Sequence, residues 1–202
     1  MNIASADVVQ KYIDSDFLLY AYRNGYFPMA DGKDGEIFWY SPDARGIFPL
    51  DALIISRSLR RTLQKNIFEI RINSAFKSVL EQCAVNREVT WISETIVQSY
   101  VRLHQLGYAH SVETWHNDTL VGGLYGVALG GAFFGESMFS TMTDASKVAL
   151  VALTKRLQER HFVLLDTQYI TPHLQSLGAI EISKEEYMRK LSCALAIQTS
   201  FI

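Results

Sequence analysis

Three polar side chains stand out in a largely apolar part of the chain: Glu136 in FFGESMF, and Asp166 and Gln168 in FVLLDTQ. The run FVLLD is too short and too apolar for anything but a buried strand, so Asp166 and Gln168, two apart, point to one face. With Glu136 they can converge at the end of a sheet. Such residues either cap a strand and bind backbone groups, or serve a reacting substrate. Several common chemistries are excluded. Neither GxxxxGK[ST] nor GxGxxG occurs. GESMF resembles a nucleophile elbow, but Phe139 replaces its second glycine. The five histidines lack metal-ligand pairing with acidic partners, which argues against zinc, and His110 reads as a strand residue with a satisfied core hydrogen bond. Cys83 and Cys193 are isolated, so neither a disulfide framework nor a CxxC pair is indicated.

The elements that must position these side chains run from Gly122 to Gln168. Two strands meet at a tight Gly130-Gly131 turn. Val148, Leu150, Val151, Leu153, Thr154 and Leu157 then recur at helical spacing, with Lys155, Arg156, Gln158 and Glu159 facing away. Asp144 is the expected N-cap of that helix, and the strand bearing Asp166 follows. Upstream, Asp7 to Gly25 has helical period with a division near Ser15. The next stretch, through Asp51, is rich in Gly, Pro, Asp and aromatics, and reads as a folded loop region. A helix capped at Ser56 carries Arg57, Arg60, Arg61 and Lys65 on one broad face. The strand FEIRIN, helices capped at Ser74 and Ser93, and two strands joined at Asn117-Asp118 complete the approach to the centre. After it come a short turn or helix from Pro172, a strand remnant at Glu181 and Ile182, and a helix from Glu185 to Ala196.

From Phe68 onward the order is strand, two helices, meander, helix, strand, helix. It resembles the acyl-CoA N-acyltransferase architecture, an α+β fold with a mixed sheet flanked by helices. The expected division is a small N-terminal helical and aromatic-loop domain over residues 1–63 and a catalytic domain over 64–202. Hydrophobic content of 49% with 20% charged residues is ordinary for a globular protein. A net charge of −2 argues against a general nucleic-acid coat, yet the basic cluster on the Ser56 helix stands out against it as a candidate phosphate contact. No basic-then-apolar leader is evident and no apolar run reaches the ~20 residues of a membrane span. The expected location is cytoplasmic.

Enzymes of this fold that use acetyl-CoA need a glycine-rich turn before the central helix to hold the pyrophosphate. SMFSTMTDASK stands there, with no glycine and an acidic Asp144. The fold therefore comes without its usual donor site. AYRNGYFPM, FWYSPDARGIFPLD, ISRSLRR, TWI, RLHQLGYAHSVETW, LVGGLYGVALG, FFGESMFS, DASKVAL and LLDTQ…HLQSLGAIEI, in order from about Leu19 to Leu191, resemble the leucyl/phenylalanyl-tRNA–protein transferase family. The resemblance implies an aminoacyltransferase that moves Leu or Phe, and Met less well, from aminoacyl-tRNA to the α-amine of proteins beginning with Arg or Lys, marking them for degradation. Many members carry a GLLAxGGDLS-like segment that this chain lacks, and Trp where Met29 stands.

The donor is an ester already activated by tRNA, so no nucleotide, metal or thioester cofactor is required, and positioning is a large part of the catalysis. The resemblance implies that Asp166 and Gln168 form a relay that activates the amine. A neutral amide scarcely holds a proton, so Gln168 is read as orienter and Asp166 as electrostatic support, with the proton acceptor unassigned. Glu136 would balance the charge of the amine or bind the cationic acceptor side chain. By resemblance the aminoacyl pocket is lined by Leu124, Phe133, Met138, Leu150, Leu153 and Leu157, with Trp91 and Tyr100 near the terminal nucleotide of the donor. Competing readings are an acyl-CoA-dependent N-acetyltransferase, disfavoured by the missing pyrophosphate turn, and a non-catalytic tRNA-binding module.

Overall fold

The computed structural model describes residues 12–32, 35–85 and 91–202; the first part of the helical run expected from Asp7 lies outside these. The described part of that run forms α1 (Ser15–Arg23), which starts where Asp14 accepts a hydrogen bond from the Phe17 N–H and ends before Gly25. The following aromatic stretch, expected as loop, contains three strands: β1 (Phe27–Ala30), β2 (Ile37–Tyr40) and β3 (Ala44–Ile47). Each is four residues long, too short for period-2 alternation to show through the Gly and Pro punctuation. β1 and β2 pair as a separate antiparallel ribbon.

The basic helix α2 (Arg57–Lys65) is capped by Ser56 as expected, and β4 (Glu69–Ile72) follows. Then come α3 (Phe76–Val85) and α4 (Glu94–Gln105), the latter capped by Ser93. The meander is β5 (Ala109–His116), β6 (Thr119–Leu129) and β7 (Ala132–Ser140). Its turns fall at Asn117-Asp118, both at positive φ, and at Gly130-Gly131. α5 (Ala145–Glu159), β8 (Leu164–Gln168), α6 (Pro172–Ser176), β9 (Ile180–Ser183) and α7 (Lys184–Leu195) close the chain.

One mixed sheet of seven strands, in the order β4-β5-β6-β7-β8-β3-β9, carries the fold. β3 belongs to the span expected to form the small N-terminal domain, yet it lies between β8 and β9 of this sheet. Side-chain alternation divides the core in two. Ala132, Phe134 and Leu164 pack with α1, α3, α4 and α7 on one face, and Phe133 and Leu165 pack with α5 on the other. Among the described residues, no helix is long and apolar enough to cross a membrane.

Candidate functional site

Strands β7 and β8 run parallel but pair only over Ala132–Phe134 and Leu164–Asp166. Beyond that point a cavity of about 250 Å³ lies between them, bordered by Gly135, Glu136, Ser137 and Met138 on β7 and by Leu165 and Thr167 on β8. Leu124, Leu150 and Leu153 supply apolar wall, and Thr171, His173 and Leu174 stand on the α6 side. The surface it presents is mainly apolar, with Glu136, Ser137, Thr167, Thr171 and His173 as polar groups around it, which suits an apolar side chain held beside polar ones.

Glu136 is the extra residue of a β-bulge. Across β6, Tyr125 pairs with Ser137 and Gly126 with Gly135, so Glu136 has no cross-strand partner. A bulge re-aims the side chain it carries. The Glu136 carboxylate is buried; its Oε1 accepts from the Tyr22 hydroxyl at 2.6 Å and from Gln168 Nε2 at 3.0 Å. Tyr22 is in turn hydrogen-bonded to Tyr100, hydroxyl to hydroxyl. Oε2 has no hydrogen-bond partner among the described residues. Burial pushes the Glu136 acid up to about 7; the bonds from Tyr22 and Gln168 oppose that rise, and the charge of Asp166 adds to it. Burial, together with the charge of Glu136, raises both tyrosines, so their hydroxyls remain donors.

Asp166 sits differently from the expectation of a carboxylate beside the reacting amine. It has no exposed surface and does not border the cavity. Oδ1 accepts from Arg45 Nε at 2.9 Å and from the Gln168 backbone N–H at 2.7 Å; Oδ2 accepts from Arg45 Nη2 at 2.5 Å and from the Tyr187 hydroxyl at 2.7 Å. Both oxygens are thus fully occupied. The reason is local: Asp166 stands on the same side of β8 as Leu164, facing β3 and α7. Gln168 is the last residue of the strand. Its φ of 63° is left-handed, and its side chain turns to Glu136.

Of the six residues expected to line an aminoacyl pocket, Leu124, Met138, Leu150 and Leu153 border the cavity. Phe133 and Leu157 do not; both are fully buried in the core behind it, the Phe133 ring tilted against that of Phe201. Trp91 is half-buried and borders a separate open recess of about 460 Å³ with Met29, Asp31, Phe38 and Tyr40. Tyr100 is wholly buried between Tyr22 and Tyr125. Arg57, Arg60, Arg61 and Lys65 are all exposed along α2. Asp144 occupies the N-cap position of α5 but in left-handed geometry, with no capping bond from its side chain. Its carboxylate binds Lys147 at 2.8 Å and Thr62 of α2 at 2.9 Å, while Ser140 Oγ accepts the Ser146 N–H in its stead. His110 is a strand residue bonded to Asn73 and stacked near Phe201, and burial lowers it to about 4.

Sequence reasoning missed Arg45, Tyr22 and Tyr187. Arg45 reads as one more polar residue in SPDARGIF. Its two neighbours give no strand signal, so nothing marked it as interior. Tyr22 lies on the apolar face of a helix that the period does reveal, and Tyr187 looks like an ordinary core aromatic.

A seven-stranded mixed sheet flanked by helices, splayed over a cavity with the buried Glu136 carboxylate at its edge, defines an α+β protein. Within that class the chain belongs to the leucyl/phenylalanyl-tRNA protein transferase family: the family's main model matches residues 47–192, and the model of its N-terminal domain matches residues 13–43. It is 53% identical over 188 residues to the leucyl/phenylalanyl-tRNA–protein transferase of Chlorobaculum parvum, covering 92% of this chain and 97% of that one. The corresponding protein of Ruegeria sp. is 52% identical over 191 residues, covering 94% and 90%. Its enzymatic class is therefore aminoacyltransferase. Among solved structures, a GCN5-related N-acetyltransferase-like protein from Streptococcus suis matches at 14% identity and a TM-score of 0.37; the chain spans 64% of its length, and 84% of this chain is covered.

Proposed function

We propose that the protein transfers leucine or phenylalanine, and methionine less well, from aminoacyl-tRNA to the α-amine of cytoplasmic proteins that begin with Arg or Lys, marking them for degradation, and that Glu136 accepts the amine's proton. The observation that carries the second part is the buried Glu136 carboxylate, raised by burial to about 7, with one oxygen lacking a partner among the described residues, at the edge of a mainly apolar cavity. A base works best when its pKa lies near the operating pH. A peptide amine, with a pKa of ~7.7–8.0, sheds its proton in the same range.

The aminoacyl side chain enters the cavity against Leu124, Met138, Leu150 and Leu153, which brings the ester beside Glu136. The amine attacks the ester carbonyl as Oε2 takes its proton; a C–N bond forms, the ester C–O bond breaks, and the proton passes to the departing ribose oxygen. Tyr22 and Gln168 donate to Oε1 throughout, which holds the carboxylate in place and balances its charge once ionised. Trp91, in the recess with Phe38 and Tyr40, offers an aromatic surface to the terminal base of the tRNA. The exposed cations of α2 meet phosphates, which carry position rather than sequence information. Tyr100 acts through Tyr22, not on the nucleotide, because it has no accessible surface.

The test mixes leucyl-tRNA, the protein and peptides beginning with Arg, Lys or Ala, and follows leucine on the peptide. Transfer to Arg and Lys peptides alone is expected, and Glu136→Gln should abolish it. Binding of the tRNA with its ester left intact would overturn the reading as a transferase.

A further inference from the structure

We propose that Arg45 and Tyr187 are positioning residues for the transfer, acting through Asp166 to hold the Gln168 amide on Glu136; this rests on the reading of Glu136 as proton acceptor. Arg45 is among the largest side chains with essentially no exposure, and its guanidinium lies between two rings, 4.6 Å from the Phe27 centroid and 4.5 Å from that of Tyr187. Burying such a pair does not in itself stabilise a fold, because desolvation offsets the attraction. What the pair does supply is direction. Arg45 Nε and Nη2 grip both oxygens of Asp166 in a fork, and Tyr187 adds a third donor. So fixed, Asp166 Oδ1 takes the backbone N–H of Gln168 and holds that residue in a left-handed conformation, which ordinary residues avoid. From there Gln168 Nε2 reaches Glu136.

The same arginine reaches the second support of Glu136. Its Nη1 donates at 3.0 Å to the carbonyl of Gly25, just past the end of α1, the helix that presents Tyr22. One guanidinium thus ties together β3, β8, α7 and the end of α1, and both donors to Glu136 Oε1 hang from what it holds. A pair that served stability alone would have no reason to converge on the two donors of one carboxylate.

The distinguishing readout is the pH dependence of transfer. A donor to the ionised carboxylate lowers its pKa, so weakening the Gln168 bond moves the acid limb of the rate profile to higher pH. The groups facing Glu136 are Tyr22 of α1, Tyr100 of α4, Asp166 and Gln168 of β8, Arg45 of β3 behind Asp166, and His173 of α6 across the cavity. Tyr187→Phe removes one donor from Asp166 and one contact of Arg45, touches neither Glu136 nor its two donors, and keeps the ring beneath Arg45.

We would measure kcat and KM for leucyl-tRNA from pH 5 to 9, with an Arg-initiated peptide, in wild type, Tyr187→Phe, Gln168→Ala and the double variant, together with thermal unfolding. Gln168→Ala should raise the limb by ~0.5–1 pH unit, the worth of one hydrogen bond. Tyr187→Phe should shift it less, in the same direction, lowering kcat several-fold with the tRNA KM unchanged. In the Gln168→Ala background it should do nothing more. A Tyr187→Phe enzyme that loses stability but keeps the wild-type limb and kcat would overturn the proposal, as would additive effects in the double variant. Arg45→Lys keeps the charge but not the fork, and should move the limb further than Tyr187→Phe; if it does not fold, the tyrosine series still decides. Failure of the underlying reading is separate: Glu136→Gln would then retain transfer.

Discussion

A carboxylic acid that titrates at about 7 is protonated in the folded protein at pH values where an exposed glutamate has long been ionised. The fold therefore favours the acid form of Glu136. Stability from that preference is fully present below the ordinary glutamate value of 4.5 and is lost as pH rises through about 7. The interval corresponds to about 3 kcal/mol. From pH 4.5 to 8 we expect the wild type to lose roughly that amount of unfolding stability relative to a Glu136→Gln protein, whose own profile rises because His110 and His173, both lowered by burial, add stability with pH in either protein. Parallel profiles would mean that the carboxylate is solvated. At the cavity wall, Leu153→Phe adds volume where the larger substrate has least to spare. The ratio of phenylalanyl to leucyl kcat/KM should fall by about tenfold, a typical cost for one misfit in an apolar pocket. An unchanged ratio would remove Leu153 from the wall. Glu136 and most of the wall were legible as residues, because polar groups in apolar strands and aliphatics at helical spacing are visible in sequence. The part played by Asp166 was not. Which face of β8 it joins depends on β3, more than a hundred positions away, and no local pattern carries that information.

Among the elements, the decisive irregularity is the bulge on β7. Gly126 sits beside it on β6, where a Cβ would lie 2.3 Å from the Phe134 carbonyl oxygen and 2.4 Å from the Phe133 ring. Backbone cannot yield that distance. Gly126→Ala should thus cost about 1–3 kcal/mol, or more, in denaturant unfolding. It should also depress transfer beyond its effect on stability, since Glu136 leaves its aim. A fully active, fully stable variant would show that the bulge tolerates a side chain. The helices and the meander announced themselves through period, caps and turn residues, as at Ser56, Ser93 and Asn117-Asp118. The strands β1 to β3 did not. Four residues among prolines and glycines give too few turns of the pattern, and their strand character comes from partners elsewhere in the fold. Asp144 is similar: its type suggests a cap, but Lys147 and Thr62 compete for the carboxylate and win.

For the molecule as a whole, the Thr62–Asp144 bond fixes α2 against the start of α5, so the basic face stands outside the helix that walls the cavity. If that face holds tRNA, Arg60→Ala with Arg61→Ala should raise the KM of leucyl- and phenylalanyl-tRNA in parallel and leave kcat nearly unchanged. The slope of log affinity against log salt should flatten by about 0.7–0.9 for each lost contact. Equal slopes in wild type and variant would return α2 to the role of a solvated face.

The seating of β3 between β8 and β9 has a consequence for how the protein comes into being. A ribosome releases residues 44–47 more than a hundred residues before the strands that flank them at 164–168 and 180–183. Contacts so distant along the chain close slowly. Until they do, Arg45 has no Asp166, Gln168 has no anchor and Glu136 lacks one of its donors. The hydrogen-bond network around Glu136 is thus completed only once residues 164–168 have left the ribosome, in a single late stitch rather than by degrees.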